Sequence, residues 1–175
     1  MEPGLGLSLL KLLHVVAVGF FAGSLFAMLM VQSLYQRALD GGERLALARV
    51  ASTVARVVVN PLAYAGFFSG LLFWLASSSQ RWSGRLMVCT PVYVHIMLTC
   101  GFLALGMAQA WKGMARKLAS DLATNAPAAV VRGHMVRGWV FALLALVFIS
   151  TAYAVAVLKV PNVISPKCFV GSFPD

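Results

Sequence analysis

The uncharged stretch LLHVVAVGFFAGSLFAMLMV, residues 12–31, decides the fold of this chain. A helix needs about 20 consecutive apolar residues to cross the hydrocarbon core of a bilayer, and this stretch supplies them. Three similar stretches follow: VVVNPLAYAGFFSGLLFWLA at 57–76, VYVHIMLTCGFLALGMAQAW at 92–111 and GWVFALLALVFISTAYAVAV at 138–157. The sequence therefore predicts an all-α fold, an integral membrane four-helix bundle.

The composition fits a membrane protein. Of the 175 residues, 61% are hydrophobic and 11% are charged, with a mean hydropathy of +0.87, whereas about 25% of residues are charged in an average soluble domain. Transmembrane β-strands would alternate apolar and polar residues, but these stretches are apolar on every side. We predict one membrane domain over residues 1–175, with spans at about 8–33, 57–77, 90–113 and 137–160 and an irregular outer tail at 161–175.

The basic residues predict the direction of the spans. Nine of the fourteen Lys and Arg fall in the first and third loops, and loops rich in Lys and Arg stay in the cytoplasm. Both termini are therefore expected on the outer, periplasmic side of a bacterial inner membrane. The net charge of +9 would also suit nucleic acid. However, the basic residues are divided between two membrane faces, so we predict a lipid bilayer as partner and no nucleic acid.

The loops carry weaker signals. In residues 41–56, Leu47, Val50 and Val54 recur at helical spacing beside arginines, which predicts an interfacial helix leading into the second span. Residues 120–130 contain Pro127 and predict a turn. His134 follows in a basic segment and is expected in a solvated loop.

Each of the first two spans contains a GxxxG motif, formed by Gly19 and Gly23 and by Gly66 and Gly70. Small residues let helices approach closely in lipid, where apolar burial gives little drive for association. The two motifs lie at similar distances from the outer ends of their spans, which predicts antiparallel contact between spans one and two. The same four glycines would also suit a membrane-protein partner or a homo-oligomer.

Two histidines carry the candidate chemistry. His14 and His95 lie at matched depth near the outer ends of spans one and three, and an ionisable residue inside a span is a functional-site hypothesis. Imidazoles on two helices would ligate one metal from opposite sides, as haem b requires. Lys11 lies one turn above His14, where it would meet a haem propionate, and Tyr153 of span four is close enough in depth to hydrogen-bond a histidine.

The face of span three that holds His95 supports this interpretation. His95, Thr99, Phe102, Gly106 and Gln109 follow one another at spacings of four and three, which places them on one side of a helix. We expect this seam to turn into the bundle.

Other interpretations of the histidines stay open. In one alternative, each histidine hydrogen-bonds a backbone carbonyl of another helix, and the chain is a non-catalytic accessory subunit of a larger membrane complex. Copper would suit His and Met ligands, although methionines more often fill gaps in apolar cores. Proton transfer is a further alternative for the same two residues.

Several classes are excluded by their motifs. The chain has no CxxCH, so covalent c-type haem is excluded, and it lacks GxSxG, Walker and HExxH sequences. Cys100 lies mid-span and is expected to pack. Cys89 and Cys168 both map to the outer side, and a disulfide between them is left open.

The order of several short motifs resembles a known membrane family. LKLLHVVA at 10–17 opens span one, VVNPLA at 58–63 precedes Gly70 in span two, VYVH at 92–95 opens span three and LKVP at 158–161 closes span four. Over residues 8–161 the chain resembles the four-helix relatives of haem-containing membrane protoporphyrinogen oxidases. That wider group includes the membrane domain of copper-resistance proteins.

The resemblance implies roles for both histidines and also has departures. In the oxidases the first-span histidine is associated with haem and a His-x-Lys of the third span with activity, so His14 and His95 would inherit these positions. Met97 stands where the family lysine would be, and AGSLFAML at 22–29 replaces an aromatic and Pro-Arg sequence. The resemblance therefore implies haem binding, and a redox function, more strongly than oxidase activity.

Overall fold

The computed structural model describes residues 3–38, 40–79 and 92–158, and all regular structure in these ranges is helical. The helices are α1 (Pro3–Arg37), α2 (Gly41–Val54), a π-helical turn (Ala55–Val59), α3 (Asn60–Ser79), α4 (Val92–Ala123) and α5 (Ala128–Leu158). The predicted all-α fold is confirmed. The predicted tail, 161–175, lies outside the described residues.

Four helices are long and apolar enough to cross a membrane: Leu5–Arg37, Gly41–Ala76, Tyr93–Ala123 and Ala128–Val157. Each contains one of the four predicted stretches. The helices continue past these stretches at the end where α1 joins α2 and α4 joins α5, which we name the turn end. The opposite end, where α1 begins and α5 ends, we name the terminal end.

The helices pack in a ring. α1 packs against α3, α3 against α4, α4 against α5 and α5 against α1, while α2 contacts α1 and α4 at the turn end. The backbones of α1 and α4 do not approach each other closely within the described ranges, so these two helices lie diagonally across the bundle. The two helices that carry His14 and His95 are therefore not neighbours.

α2 and α3 form one continuous rod through the π-helical turn. Ala51, Ala55, Val59 and Ala63 are all buried at a spacing of four residues, and the wide π turn takes up the extra residue so that both halves keep one face toward the core. Pro61 follows directly and has no N–H to donate. The predicted helix in residues 41–56 is confirmed, and it runs without a break into the second span.

The core combines large side chains with alanines. Leu25 of α1 and Trp111 of α4 are completely buried, and Ala142 and Ala145 of α5 are buried opposite them. Small residues on α5 let the helices approach closely enough for dispersion contacts to stabilise the bundle. Cys100 is buried with a free thiol, so its predicted packing role is confirmed.

Burial is concentrated in the turn-end half of the bundle. Near the terminal end of α1, large side chains such as Leu9, Leu12 and Leu13 are more than half exposed, and Tyr153 and Val157 of α5 are similarly exposed. The terminal end is therefore the more open half of the molecule within the described ranges.

The connection between α4 and α5 is a tight turn, as predicted. The N–H of Ala126 donates to the carbonyl of Asp121 at 2.8 Å, and Asn125 has a positive φ of 52°. This arrangement closes the last turn of α4, and asparagine tolerates the left-handed conformation. Pro127 then precedes α5.

His134 lies inside α5, so its predicted position in a solvated loop is wrong. The reason is that α5 begins at Ala128, directly after the turn. His134 Nδ1 is 2.6 Å from Asp121 Oδ2, and both side chains are mostly buried, with exposed fractions of 19% and 23%. This pair joins α4 to α5 just beyond their connection.

We expect His134→Ala and Asp121→Asn each to lower the free energy of unfolding by about 1 kcal/mol, because each leaves a partly buried partner unpaired. The double variant should cost less than the sum of the two. Unfolding in a detergent titration at neutral pH measures this, with exposed Arg132→Ala of α5 as the control. Additive effects would contradict the pair.

Candidate functional site

His14 joins α1 to α3 near the terminal end. Its Nδ1 lies 2.8 Å from the carbonyl oxygen of Gly66 and 3.4 Å from Ser69 Oγ. The Ser69 hydroxyl donates to the same carbonyl at 3.2 Å. His14 is half-buried and Ser69 is buried. The predicted contact between spans one and two is thus made by a polar cluster inside an apolar interface.

The glycines of α3 make room for the imidazole. A Cβ added at Gly70 would lie 2.6 Å from His14 Cε1, and one added at Gly66 would lie 3.2 Å from Val18 Cγ2. No side chain larger than hydrogen fits at Gly70 without movement of the ring. The GxxxG motif of span two is therefore a packing surface within the chain.

The GxxxG motif of span one is not part of this contact. A Cβ added at Gly19 or Gly23 would meet nothing within 4 Å. Gly66 and Gly70 instead oppose Val18 and His14, which lie five residues before Gly23 and Gly19 in α1. The imidazole needs the space that two facing glycines would otherwise share.

The hydrogen bond to Gly66 selects the tautomer of the His14 ring. A carbonyl oxygen only accepts, so His14 Nδ1 carries the proton. In the neutral ring the lone pair is then on Nε2. A ligating histidine commonly donates its other N–H to a backbone carbonyl, which orients the ring and selects the tautomer. His14 has the arrangement of a metal ligand as well as that of an interhelical clamp.

Lys11 and Tyr153 lie at the terminal end without contacting His14. Lys11 is exposed one turn before His14. Tyr153 is 70% exposed, and no hydrogen bond joins it to His14 or His95 in the described ranges. The open end of the bundle thus exposes both side chains to their surroundings.

His95 faces away from the buried side of α4. His95, Thr99, Phe102 and Gly106 are all exposed, so the predicted inward turn of this seam is wrong for these positions. Ala104, nine residues after His95, is buried. Nine residues make about two and a half helical turns, which places Ala104 on the side of α4 opposite His95. The residues that α4 does bury include Cys100, Ala104, Ala108 and Trp111.

The structure therefore does not bring the predicted ligands together. His14 lies in the α1–α3 interface, whereas His95 lies on the exposed face of a diagonal helix. No group of three or more His, Cys, Asp or Glu able to hold a metal occurs within residues 3–38, 40–79 and 92–158. Cys89 and Cys168 lie outside the described residues, so their disulfide stays a question of the sequence alone.

A polar cluster at the turn-end side of the α3–α4 interface was missed by the sequence prediction. Gln109 Nε2 donates to Asn60 Oδ1, and Lys112 Nζ donates to Asn60 Oδ1 at 3.2 Å and to Gln109 Oε1 at 2.7 Å. The three-residue spacing of Gln109 and Lys112 was the available signal, because it places them on one helix face. The pairing with Asn60 depended on interhelical register.

No protein-family model matches this chain, and no curated protein or solved structure matches it significantly. The resemblance to the haem-containing membrane oxidases stays a prediction.

We expect Gly70→Ala to lower the free energy of unfolding by about 1–3 kcal/mol, because the added methyl group displaces the His14 ring and lengthens its bond to Gly66. Gly19→Ala is the matched control, since its Cβ enters open space, and it should be neutral or stabilising. Detergent unfolding measures both. Equal stability of the two variants would contradict the role of Gly70.

Proposed function

We propose that this chain is a b-type haem-binding redox protein of a bacterial inner membrane, with both termini on the periplasmic side, and that His14 would hold the haem. It would pass electrons between a quinone or porphyrin-like substrate and a respiratory chain. This proposal makes the chain an oxidoreductase component without assigning a catalytic residue.

The observation that carries the proposal is the hydrogen bond from His14 Nδ1 to the Gly66 carbonyl. It leaves Nε2 as the ligand atom and restricts ring rotation, which lowers the entropic cost of coordination. Gly70 accommodates the ring at a distance that excludes any Cβ. The donor chemistry of His14 therefore fits one axial position of haem b.

The surroundings of His14 also suit a large flat group. The terminal end has exposed apolar side chains on α1, including Leu9 and Leu13, which would cover a macrocycle. Lys11, one turn from His14, would pair with a propionate. Haem, when bound, supplies one-electron chemistry, and the chain's residues orient it and exclude water.

His95 is the candidate for a second haem ligand. His95 is at the terminal end but on the exposed face of α4, so a bis-histidine site requires α4 to rotate or shift. We retain His95 as the candidate second ligand and assign it a separate test. Met97, in the position of the family lysine, gives no reason to propose protoporphyrinogen oxidation itself.

Absorption spectra of the protein extracted in mild detergent, oxidised and reduced, test the haem proposal. We expect a Soret band that His14→Ala abolishes or reduces by at least tenfold, because the mutation removes the ligand atom. His134→Ala, in the third histidine, is the matched control and should leave the band unchanged. Absence of a Soret band, or an unchanged band in His14→Ala, would refute the proposal.

His95→Ala tests the second position in the same spectra. Loss of the low-spin spectrum would assign a bis-histidine site, and an unchanged spectrum would assign a site with one histidine. The folding of each variant is checked by its elution as a single species and by its helical circular dichroism.

A second candidate function, an accessory subunit of a membrane complex, is favoured by a different observation. Among the described residues, no atom lies within 4 Å of a Cβ added at Gly19 or Gly23. Exposed Val15, Val16 and Phe20 flank them, and such a surface suits close packing with another membrane helix. In this function His14 acts only as a structural clamp.

We expect Gly23→Ile to remove a co-purifying partner or a homo-oligomer if this second function is correct, because a branched side chain prevents close helix approach. Gly113→Ile, also at a glycine with open space around it, is the control on α4. Cross-linking in native membranes followed by mass analysis measures the association. A wild-type protein that stays monomeric at all concentrations would exclude it.

A further inference from the structure

We propose that the cluster of Asn60, Gln109 and Lys112 binds the phosphate group of an anionic phospholipid, whose acyl chain lies along the exposed aromatic side chains of α3 and α4. This inference is independent of the haem proposal, because the cluster lies toward the turn end and His14 toward the terminal end.

The cluster has hydrogen-bond donors that have no partner within the described residues. Lys112 Nζ uses two of its three hydrogens on Asn60 Oδ1 and Gln109 Oε1. The Asn60 amide nitrogen, a donor of two hydrogens, has no partner within the described residues. Both amide oxygens already accept hydrogen bonds within the cluster, so the groups left to bind a ligand are N–H donors, which select an acceptor.

The charged side chains in and near the cluster are positive. No carboxylate of the described residues lies within ion-pair distance of Lys112, since the ion pair found there joins His134 to Asp121. Exposed Arg56 lies four residues before Asn60, and exposed Arg116 lies four residues after Lys112. Residues four apart share a helix face. Three cations on two adjacent helices thus favour a negatively charged ligand.

The position of the cluster along the two spans also fits a phospholipid headgroup. Lys112 directly follows the uncharged stretch 92–111, and Arg56 directly precedes the uncharged stretch 57–76. In a chain that spans a bilayer, both ends correspond to the level of the lipid headgroups. Lys112 is only half-exposed there, and it is held in place by two side-chain oxygens.

Aromatic side chains of α3 and α4 lie on the terminal-end side of the cluster. Tyr64 and Phe68 stack along α3 with ring centroids 6.1 Å apart, and Phe67 contacts Phe102 of α4 at 6.3 Å. Phe68 and Phe102 remain at least half exposed. A cationic cluster next to exposed aromatic side chains on the same two helices matches a molecule with a phosphate head and an apolar chain, so the proposed occupant is a phospholipid.

Native mass spectrometry of the purified full-length protein in a nonionic detergent tests this proposal. The probes are phosphatidylglycerol, phosphatidylcholine and inorganic phosphate, each titrated separately. We expect phosphatidylglycerol to bind at least fivefold more tightly than phosphatidylcholine. Lys112→Gln should weaken phosphatidylglycerol binding about fivefold, the effect of one basic residue near an anionic lipid.

Lys117→Gln is the matched control, because it removes the same charge from an exposed position on the same helix, and it should change the affinity less than twofold. Equal losses in Lys112→Gln and Lys117→Gln would show attraction by net charge alone and overturn the site. Inorganic phosphate that binds as tightly as phosphatidylglycerol would overturn the lipid as occupant.

Arg116→Gln keeps the proposal testable if Lys112→Gln fails to fold, because Arg116 is exposed and its loss does not disturb the cluster. We expect it to weaken phosphatidylglycerol binding by two- to fivefold. An affinity equal to that of Lys117→Gln would overturn the proposal.

Discussion

The close approach of α1 to α3 is the contact on which the arrangement of the other helices depends. In lipid, apolar burial gives little drive for helix association, so packing and interhelical hydrogen bonds must supply it. At this contact Gly66 and Gly70 remove two side chains, and His14 fills the space with a ring that hydrogen-bonds the Gly66 carbonyl. One interaction thus combines close packing with polar satisfaction, and it fixes the register of α1 against α3.

The two ends of the bundle divide packing and openness between them. Toward the turn end, Leu25 and Trp111 are completely buried against alanines, and the His134–Asp121 pair joins α4 to α5. Toward the terminal end, large apolar side chains are exposed on α1 and α5. Among the described residues, the packed core therefore lies toward the turn end. Both proposed sites lie on the borders of the packed region.

Much of this fold could be predicted from sequence because the dominant signal is local. A run of about 20 uncharged residues specifies a membrane helix without knowledge of its neighbours, and the turn around Pro127 has equally local signals. At the turn end the helices continue past the predicted spans, since the charged residues that end an apolar stretch do not end a helix. The glycines of α3 were correctly predicted to pack against α1, but the residues that they face were not predicted.

The candidate site was less predictable, because it depends on rotation about helix axes. His14 and His95 have similar depth in the sequence, yet one lies in an interface and the other on an exposed face. Depth comes from counting residues, whereas the side a residue faces depends on which neighbours a helix acquires. The cluster of Asn60, Gln109 and Lys112 was missed for the same reason, as its spacing on α4 was visible and its partner on α3 was not.

The π-helical turn at Ala55–Val59 makes the rotational phase of the α2–α3 rod a quantity set by chain length. One residue corresponds to about 100° around a helix axis. A chain one residue shorter here would gain a regular α-helix and lose the alignment of everything beyond it, because Asn60, Gly66 and Gly70 would all turn together. The surplus residue therefore acts as a spacer that orients two sites, one at the start of α3 and one near its middle, toward their separate partners.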